Sequence, residues 1–350
     1  MNQDYDVTIG IPIFNVEKYV EKSILSALNQ DFSGRIELLI VNDKTKDNSM
    51  EIINKIKNHH PNGKNVHIIN HLTNQGLSAA RNTIIDNFKG KYLYFMDSDD
   101  YISTDCIRKL YTEAEQIKAD VVYGALKTVD ENGDFTDIGQ NYLKQEYKVF
   151  CEKDEFASYV FRDMHQYLRD YVTNTLFRDT FINNNNLKFK FVRFYEDVIF
   201  SADFVPLISK GIIIPDTTYY YVIRKNSISN YQGRVKIDLN EIKTFIDIFT
   251  YIKNKNKELK EKSYYEARCA RSMVQMLFII SGALKNKKII YPPITNKMIK
   301  DAMRHPASFS EIIRFKKHKF VNMGFFFIGI MPSWAATAIV TYIAKFKKII

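Results

Sequence analysis

Cysteine is scarce in this chain: 350 residues carry three, Cys106, Cys151 and Cys269, far apart and without a CxxC pair. That spacing excludes a disulfide framework and a thiolate zinc site, and it fits a reducing cytosol. Glycine (13) and proline (8) are too few for a collagen-like repeat or a Pro/Gly-rich disordered tract, while a 45% hydrophobic fraction can fill a sizeable core. No GxGxxG follows the first apolar run, which disfavours a dinucleotide cofactor, whose pyrophosphate needs that close backbone approach. Met1 to Asp6 is polar and acidic, with no basic segment leading into an apolar one. No secretory signal is therefore expected, and the protein is expected on the cytoplasmic side.

Acidic residues are thin in one region. Residues 1–232 hold 27 Lys+Arg against 32 Asp+Glu and residues 233–350 hold 23 against 8, so the formal net charge of +10 is −5 followed by +15. The basic charge is confined to a part that ends in an apolar stretch, which favours an anionic membrane surface over nucleic acid. Phe320 to Ala344 has no charged residue in 25 positions, long enough for a span, but Pro332-Ser333-Trp334 divides it into two pieces too short to cross alone. Basic clusters flank it, Arg314 to Lys319 and Lys345 to Lys348. An interfacial helical hairpin keeps both clusters in the cytoplasm, whereas a single crossing would not. The alternative is a hairpin buried against the body. The expected organisation is a catalytic domain at 1–232 and a basic helical domain at 233–350, membrane-associating at about 320–344.

The first part alternates apolar runs with amphipathic helical segments. Val7 to Ile11, Ile36 to Val41, Val66 to Ile69 and Tyr92 to Met96 predict strands; Glu17 to Leu28, Ser49 to Lys57 and Ser78 to Phe88 predict helices. Continuous apolar strands separated by such helices predict an α/β fold with a mostly parallel sheet covered on both faces. In such a sheet the ligand lies beyond the carboxyl ends of the strands. Those positions are Pro12 to Asn15, Asn42-Asp43, Asn74 to Asn82 and Asp97-Ser98-Asp99-Asp100.

The last group concentrates three carboxylates. Asp97 and Asp99 can face one site together, an arrangement that is costly without a cation, and hard oxygen ligands select Mg²⁺ or Mn²⁺. An acidic strand end that caps the following helix is the plainer reading. A second pair, Glu196-Asp197, stands between aromatic flanks, where partial desolvation would tune a carboxylate as a base. Read alone, the pair fits a solvated helix start better.

Together these segments resemble the family 2 glycosyltransferases of the GT-A fold. VTIGIPIFNVEKYVEKSILSALNQ is similar to the family's opening segment, VNDKTKDNS to its nucleotide-binding turn, and NQGLSAARN and DSDD to its next two signatures. FYEDVIFS resembles its catalytic-base motif and YYYVIRKNSIS its closing strand, so the resemblance covers residues 5 to about 231. One departure is Lys44-Thr45-Lys46, where the family usually has Gly-Ser-Thr.

The resemblance implies an inverting, metal-dependent transfer of one sugar from a UDP-sugar to a saccharide hydroxyl. The acceptor would be lipid-linked, in bacterial capsule, exopolysaccharide or cell-wall glycan synthesis. It implies that Asp43 accepts from the uracil ring, that Pro12, Phe14 and Asn15 line the base and ribose, and that Arg81 and Ser98 lie near the nucleotide. Asp97 would touch ribose and metal, Asp99 would be the main metal ligand, and Asp100 would lie near the donor sugar. Asp197 would be the base, with Glu196 orienting it, and Arg224 would bind diphosphate or acceptor. QxxRW is absent, so a processive synthase is not expected. The competing readings are a metal-dependent nucleotidyl or phosphoryl transferase and a non-enzymatic basic membrane adaptor.

Overall fold

The structure is a computed structural model that describes residues 4–136, 146–163, 172–224 and 236–347. The first half runs β1 (Tyr5–Ile13), α1 (Val20–Leu28), β2 (Ile36–Asn42), α2 (Ser49–His59), β3 (Val66–Asn70), α3 (Leu77–Asn87), β4 (Gly90–Phe95), β5 (Tyr101–Ile102) and α4 (Cys106–Ile117). Then come β6 (Val121–Val129), β7 (Lys148–Phe150), α5 (Glu155–Ser158), β8 (Thr175–Arg178), α6 (Asp179–Asn184), α7 (Glu196–Phe204) and β9 (Gly211–Val222). The chain divides into two compact units, one of Met1–Phe156 and His165–Ser227 and one of Ala157–Met164 and Ile228–Ile350. No composition shift signals that Ala157–Met164 belongs with the second.

The first unit is built on one sheet in the order β3-β2-β1-β4-β8-β6-β9-β5, with β7 also paired to β9. Strands β1 to β4 are mutually parallel, so their carboxyl ends and the loops that follow share one edge. Val7 to Ile13 are all buried: Val7, Ile9, Ile11 and Ile13 join the apolar core, and Thr8 donates to the buried Glu37 carboxylate. A Cβ at Gly10 would stand 2.4 Å from Ile84 Cγ2, so α3 rests almost directly on β1. That closeness matters below, because α3 carries Arg81.

Three local results differ from the sequence expectation. Strand β1 does not stop at Pro12 but pairs Pro12 with Val41; the β4 ladder has already ended at Gly10, so an N–H is not needed on that side. The apolar segments Ile212–Ile214 and Tyr219–Val222, which the sequence pattern alone would separate at Pro215-Asp216, belong to the single strand β9, whose register against β6 shifts near Ala125. Strand β8 enters antiparallel between β4 and β6. Four residues are too few to show a period.

The second unit, described by itself, contains β10 (Ile237–Asp238), α8 (Leu239–Asn256), α9 (Tyr265–Lys285), β11 (Ile290–Tyr291), α10 (Asn296–Ala302), α11 (Phe309–Ile312), α12 (Lys319–Ile330) and α13 (Ser333–Phe346). Strands β10 and β11 pair in parallel. A buried polar contact ties α8 to α9: Arg268 Nε donates to Asn256 Oδ1 at 2.6 Å, and Asn256 Nδ2 donates to Ser272 Oγ at 3.0 Å. Lys253, buried on α8, donates to the carbonyls of Ala302 and Arg304, at the end of α10 where helix carbonyls lack partners. Burial pushes its amine down to about 8. Among the described residues no helix is long and apolar enough to cross a membrane.

Candidate active site

The loop after β2 is organised by side chains that replace glycine's freedom with hydrogen bonds. Lys44 takes φ 58°, the left-handed conformation a glycine would supply, and Asn15 takes φ 52°. Thr45 N–H donates to Asn42 Oδ1 at 2.9 Å, Asn15 N–H to Thr45 Oγ1 at 2.7 Å, and Ser49 Oγ to Asp47 Oδ1 at 2.6 Å. The Lys-Thr-Lys departure therefore keeps a defined turn. Phe14 stands 42% exposed beside it, available to cover a planar ligand, while Pro12 is buried in the strand.

Asp43 is buried, and four donors of the chain itself converge on its carboxylate. They are His71 Nδ1 at 2.7 Å and, at 2.8 Å each, Asn74 Nδ2, Gln75 N–H and Gly76 N–H. His71 in turn meets Thr83 Oγ1 at 2.8 Å through Nε2. The carboxylate thus anchors the start of α3, where free N–H groups and the helix dipole favour an anion. The resemblance implied a uracil acceptor here; in the structure both Asp43 oxygens already accept within the chain, from His71 and from the 74–76 turn. His71 was missed by sequence reasoning, although its place just past the end of the third apolar run, after Asn70, was the available signal.

Arg81, expected near the nucleotide, is 1% exposed and gathers three carboxylates. Its Nη2 meets Asp97 Oδ1 at 2.9 Å, and its Nη1 meets Glu196 Oε1 at 2.9 Å and, closer, Asp197 Oδ1. The guanidinium lies 5.4 Å from the centre of the Phe189 ring. One rigid fork therefore joins the end of β4 to the start of α7. Burial raises Asp197 well above the ordinary carboxylate range, with Arg81 opposing and Glu196 and Asp97 adding to the rise. Tyr195, directly before the pair, holds φ 61°, a strained conformation that turns the chain into α7.

The remaining acids of the DSDD group have distinct surroundings. Asp99 is ion-paired with Arg224, and burial, then Asp97, pushes it up to about 6. Arg224 also lies 5.3 Å from the Tyr19 ring centre. Asp100 is 2% exposed and accepts from Tyr219 Oη at 2.7 Å and Val222 N–H at 2.8 Å, which fixes it to β9 rather than to an open face. Burial raises its pKa well above the ordinary range, with Asp99 and Asp97 contributing. Ser98 is buried. The residues NSIS of the expected closing motif lie outside the described residues.

Asp97 and Asp99 are hard-oxygen donors that each spend one named oxygen on an arginine. Among the described residues no three His, Cys, Asp or Glu side chains form a complete cation cage. A donor set of one or two carboxylates is what Mg²⁺ or Mn²⁺ uses when phosphate oxygens and water complete its shell. The residues therefore fit a metal carried with a diphosphate better than a resident all-protein site.

A mostly parallel sheet whose acid-ended fourth strand faces a second carboxylate pair defines the nucleotide-diphospho-sugar transferase class of fold, GT-A. The structure matches the crystal structure of Staphylococcus aureus TarS residues 1–349 in complex with UDP, with TM-score 0.70 at 15% identity over 98% of this chain and 92% of that one. Residues 8–182 match the model of glycosyl transferase family 2, and the chain belongs to that family. Glycosyltransferase GlyA of Streptococcus pneumoniae is 30% identical over 65% of this chain and 32% of its own length. The uncharacterized glycosyltransferase EpsJ of Bacillus subtilis is 27% identical over 88% of this chain and 89% of its own. The poly(ribitol-phosphate) beta-glucosyltransferase of Bacillus spizizenii is 25% identical over 63% of this chain and 32% of its own. The chain thus spans about a third of the length of the first and the last of these.

Proposed function

We propose that the protein is an inverting, metal-dependent glycosyltransferase that moves one sugar from a UDP-sugar to a hydroxyl of a lipid-linked saccharide in bacterial surface-glycan synthesis. The observation that carries this reading is the Arg81 fork, which brings Asp97 together with Glu196 and Asp197. Asp97 comes from a strand end suited to a diphosphate. The Glu196-Asp197 pair supplies a desolvated carboxylate suited to taking a proton. Family membership favours sugar transfer over nucleotidyl transfer or a non-enzymatic adaptor. A UDP-bound neighbour supports the uridine donor, and a relative named for poly(ribitol-phosphate) supports a cell-wall polymer or its precursor.

In this reading Asp197 accepts the proton of the attacking hydroxyl, and Arg81 holds it in place with Glu196 beside it. Asp97 and Asp99 would hold a divalent cation, which when bound would neutralise charge on the departing UDP. Arg224 is the cation placed to exchange Asp99 for a diphosphate oxygen. Phe14 and Asn15 flank the nucleotide, and Asp43 shapes the pocket through the 74–76 turn. The basic C-terminal unit attaches the enzyme peripherally to the cytoplasmic face of the membrane, where a lipid-linked acceptor resides.

The test is UDP release by Asp197→Asn with a panel of UDP-sugars. The expected result is a kcat loss of about 10²–10⁴ with UDP binding retained. Full turnover in the folded variant would remove the base from this residue. Calorimetry with UDP should show binding that depends on Mn²⁺ and is weakened in Asp99→Asn, whereas metal-indifferent binding would overturn the cation's role.

A further inference from the structure

The two C-terminal helices are neither wholly buried nor wholly free. Helix α12 buries Asn322, Phe325, Ile328 and Gly329, and α13 buries Ala336, Val340 and Ala344. These faces pack on α9 and α10 within the second unit. The rotation of α12 is fixed by polar contacts. Asn322 Nδ2 donates to the carbonyls of Glu266 at 3.1 Å and His318 at 2.9 Å, and Asn322 Oδ1 meets His305 Nε2 at 2.9 Å. A Cβ at Gly329 would stand 2.8 Å from the Met303 carbonyl, so only glycine lets the helix approach this closely.

The opposite faces are apolar and open to solvent. Phe320 is 85% exposed, Ile330 57%, Trp334 69%, Tyr342 70% and Phe346 72%. So many large apolar side chains left out of a core on one pair of helices mark an interaction surface. The chemistry of the neighbours identifies the partner. From Ile312 to the end there is no Asp or Glu, while Arg314, Lys316, Lys317, Lys319, Lys345 and Lys347 border the helices. A two-fold pairing with a second copy would bring these cations together without a counter-charge. An anionic bilayer supplies that counter-charge and an apolar boundary into which Trp and Tyr settle. Helices of 12 and 14 residues are too short to span and suited to lie in the plane of the interface.

We propose that the outer faces of α12 and α13 form a membrane-docking surface that inserts Phe320, Ile330, Trp334, Tyr342 and Phe346 at the headgroup boundary of an anionic bilayer, while the inner faces stay packed on the second unit. This deepens the membrane part of the reading above and rests on it only for the presence of a lipid-borne acceptor. The hairpin acts as a fixed foot, not as an anchor that unfolds from the protein to insert.

Trp334 is the sole tryptophan, so its fluorescence reports this surface directly. The full chain is titrated with phosphatidylglycerol vesicles and, separately, phosphatidylcholine vesicles. The expected result is a blue shift with phosphatidylglycerol, quenching by lipids brominated on the acyl chain, and reversal by high salt. The double variant Phe320→Ser, Phe346→Ser should keep its thermal melt and bind vesicles at least about tenfold more weakly, since each exposed ring loses its burial. An unchanged Trp334 spectrum at saturating phosphatidylglycerol overturns the proposal. So does a concentration-dependent blue shift without lipid, which would assign the face to a second copy. Equal binding to both vesicle types would overturn the electrostatic part. None of these readouts involves turnover, and transfer to a soluble acceptor tests the catalytic reading without lipid.

Discussion

Replacing Arg81 by glutamine removes the cation that three carboxylates share. The arginine is 1% exposed, while the Asp97, Glu196 and Asp197 side chains retain 32%, 11% and 18% exposure. Breaking a buried pair by deleting one partner costs about 3–5 kcal/mol. The partial exposure of the acids screens their repulsion, so the lower end, about 3 kcal/mol, is expected. That is a large share of the roughly 5–15 kcal/mol that holds a domain folded, and for a unit of this size it lowers Tm by about 6–12 °C. The loss should depend on pH with a defined sign. Burial already raises Asp197 above its unfolded value, and removing Arg81 takes away the opposing influence. A group whose folded pKa is raised contributes stability below its unfolded pKa and loses it as pH rises through the folded one. The gap between parent and variant should therefore be smallest at the acid end of the range where the protein stays folded and widen as pH rises. Thermal unfolding followed by far-UV circular dichroism across that range measures it. A loss below about 1 kcal/mol that is equal at both ends would refute a buried charge hub. Arg81→Lys restores the charge without the fork, and it should recover part of the stability and little of kcat.

Further substitutions probe Asp100, whose expected role differs from its surroundings, and the buried Lys253. Asp100→Ala should cost about 1–3 kcal/mol by leaving Tyr219 Oη and Val222 N–H short of an acceptor, with Asp100→Asn milder. Both should leave donor preference across UDP-sugars unchanged, and a changed preference with an intact melt would return Asp100 to the donor sugar. In the second unit, burial depresses Lys253 to about 8 from 10.5, so the unfolded state binds more protons between those values and stability rises with pH there, by an amount on the order of 3 kcal/mol. Urea unfolding followed by Trp334 fluorescence should show that rise in the parent and lose it in Lys253→Met.

The parallel part of the fold was legible because β1 to β4 are predominantly apolar and β1 to β3 are each followed by a helix with one apolar face. Its physical cause, burial on both sheet faces, writes itself into consecutive residues. The antiparallel insertion of β8 was not legible, because its four residues are held by β4 and β6, more than 50 positions upstream. The C-terminal helices were legible in length and in their break at Pro332. Which face of each would be buried was not, since α12 is apolar on nearly every side. A single polar residue, Asn322, decides its rotation by finding partners in a loop and on another helix.

The same distinction governs the site. Asp97, Asp99, Glu196 and Asp197 announce themselves as carboxylates at apolar boundaries, and Arg81 as a cation on an alanine-rich helix. What the sequence does not carry is the pairing: Arg81 lies 115 and 116 residues from two of its partners. An arginine judged by local pattern is assigned to phosphate, because phosphate is the anion a nucleotide site is expected to hold. Folding supplied other anions first. Three acids around one buried guanidinium outnumber its charge, and Arg224 does not offset them because it is paired with a fourth acid, Asp99. If the proposed function holds, this balance would disfavour a free diphosphate and favour one carrying its own divalent cation. In the proposed reading, metal-dependent donor binding would then rest on the arrangement of the arginines as much as on the carboxylates.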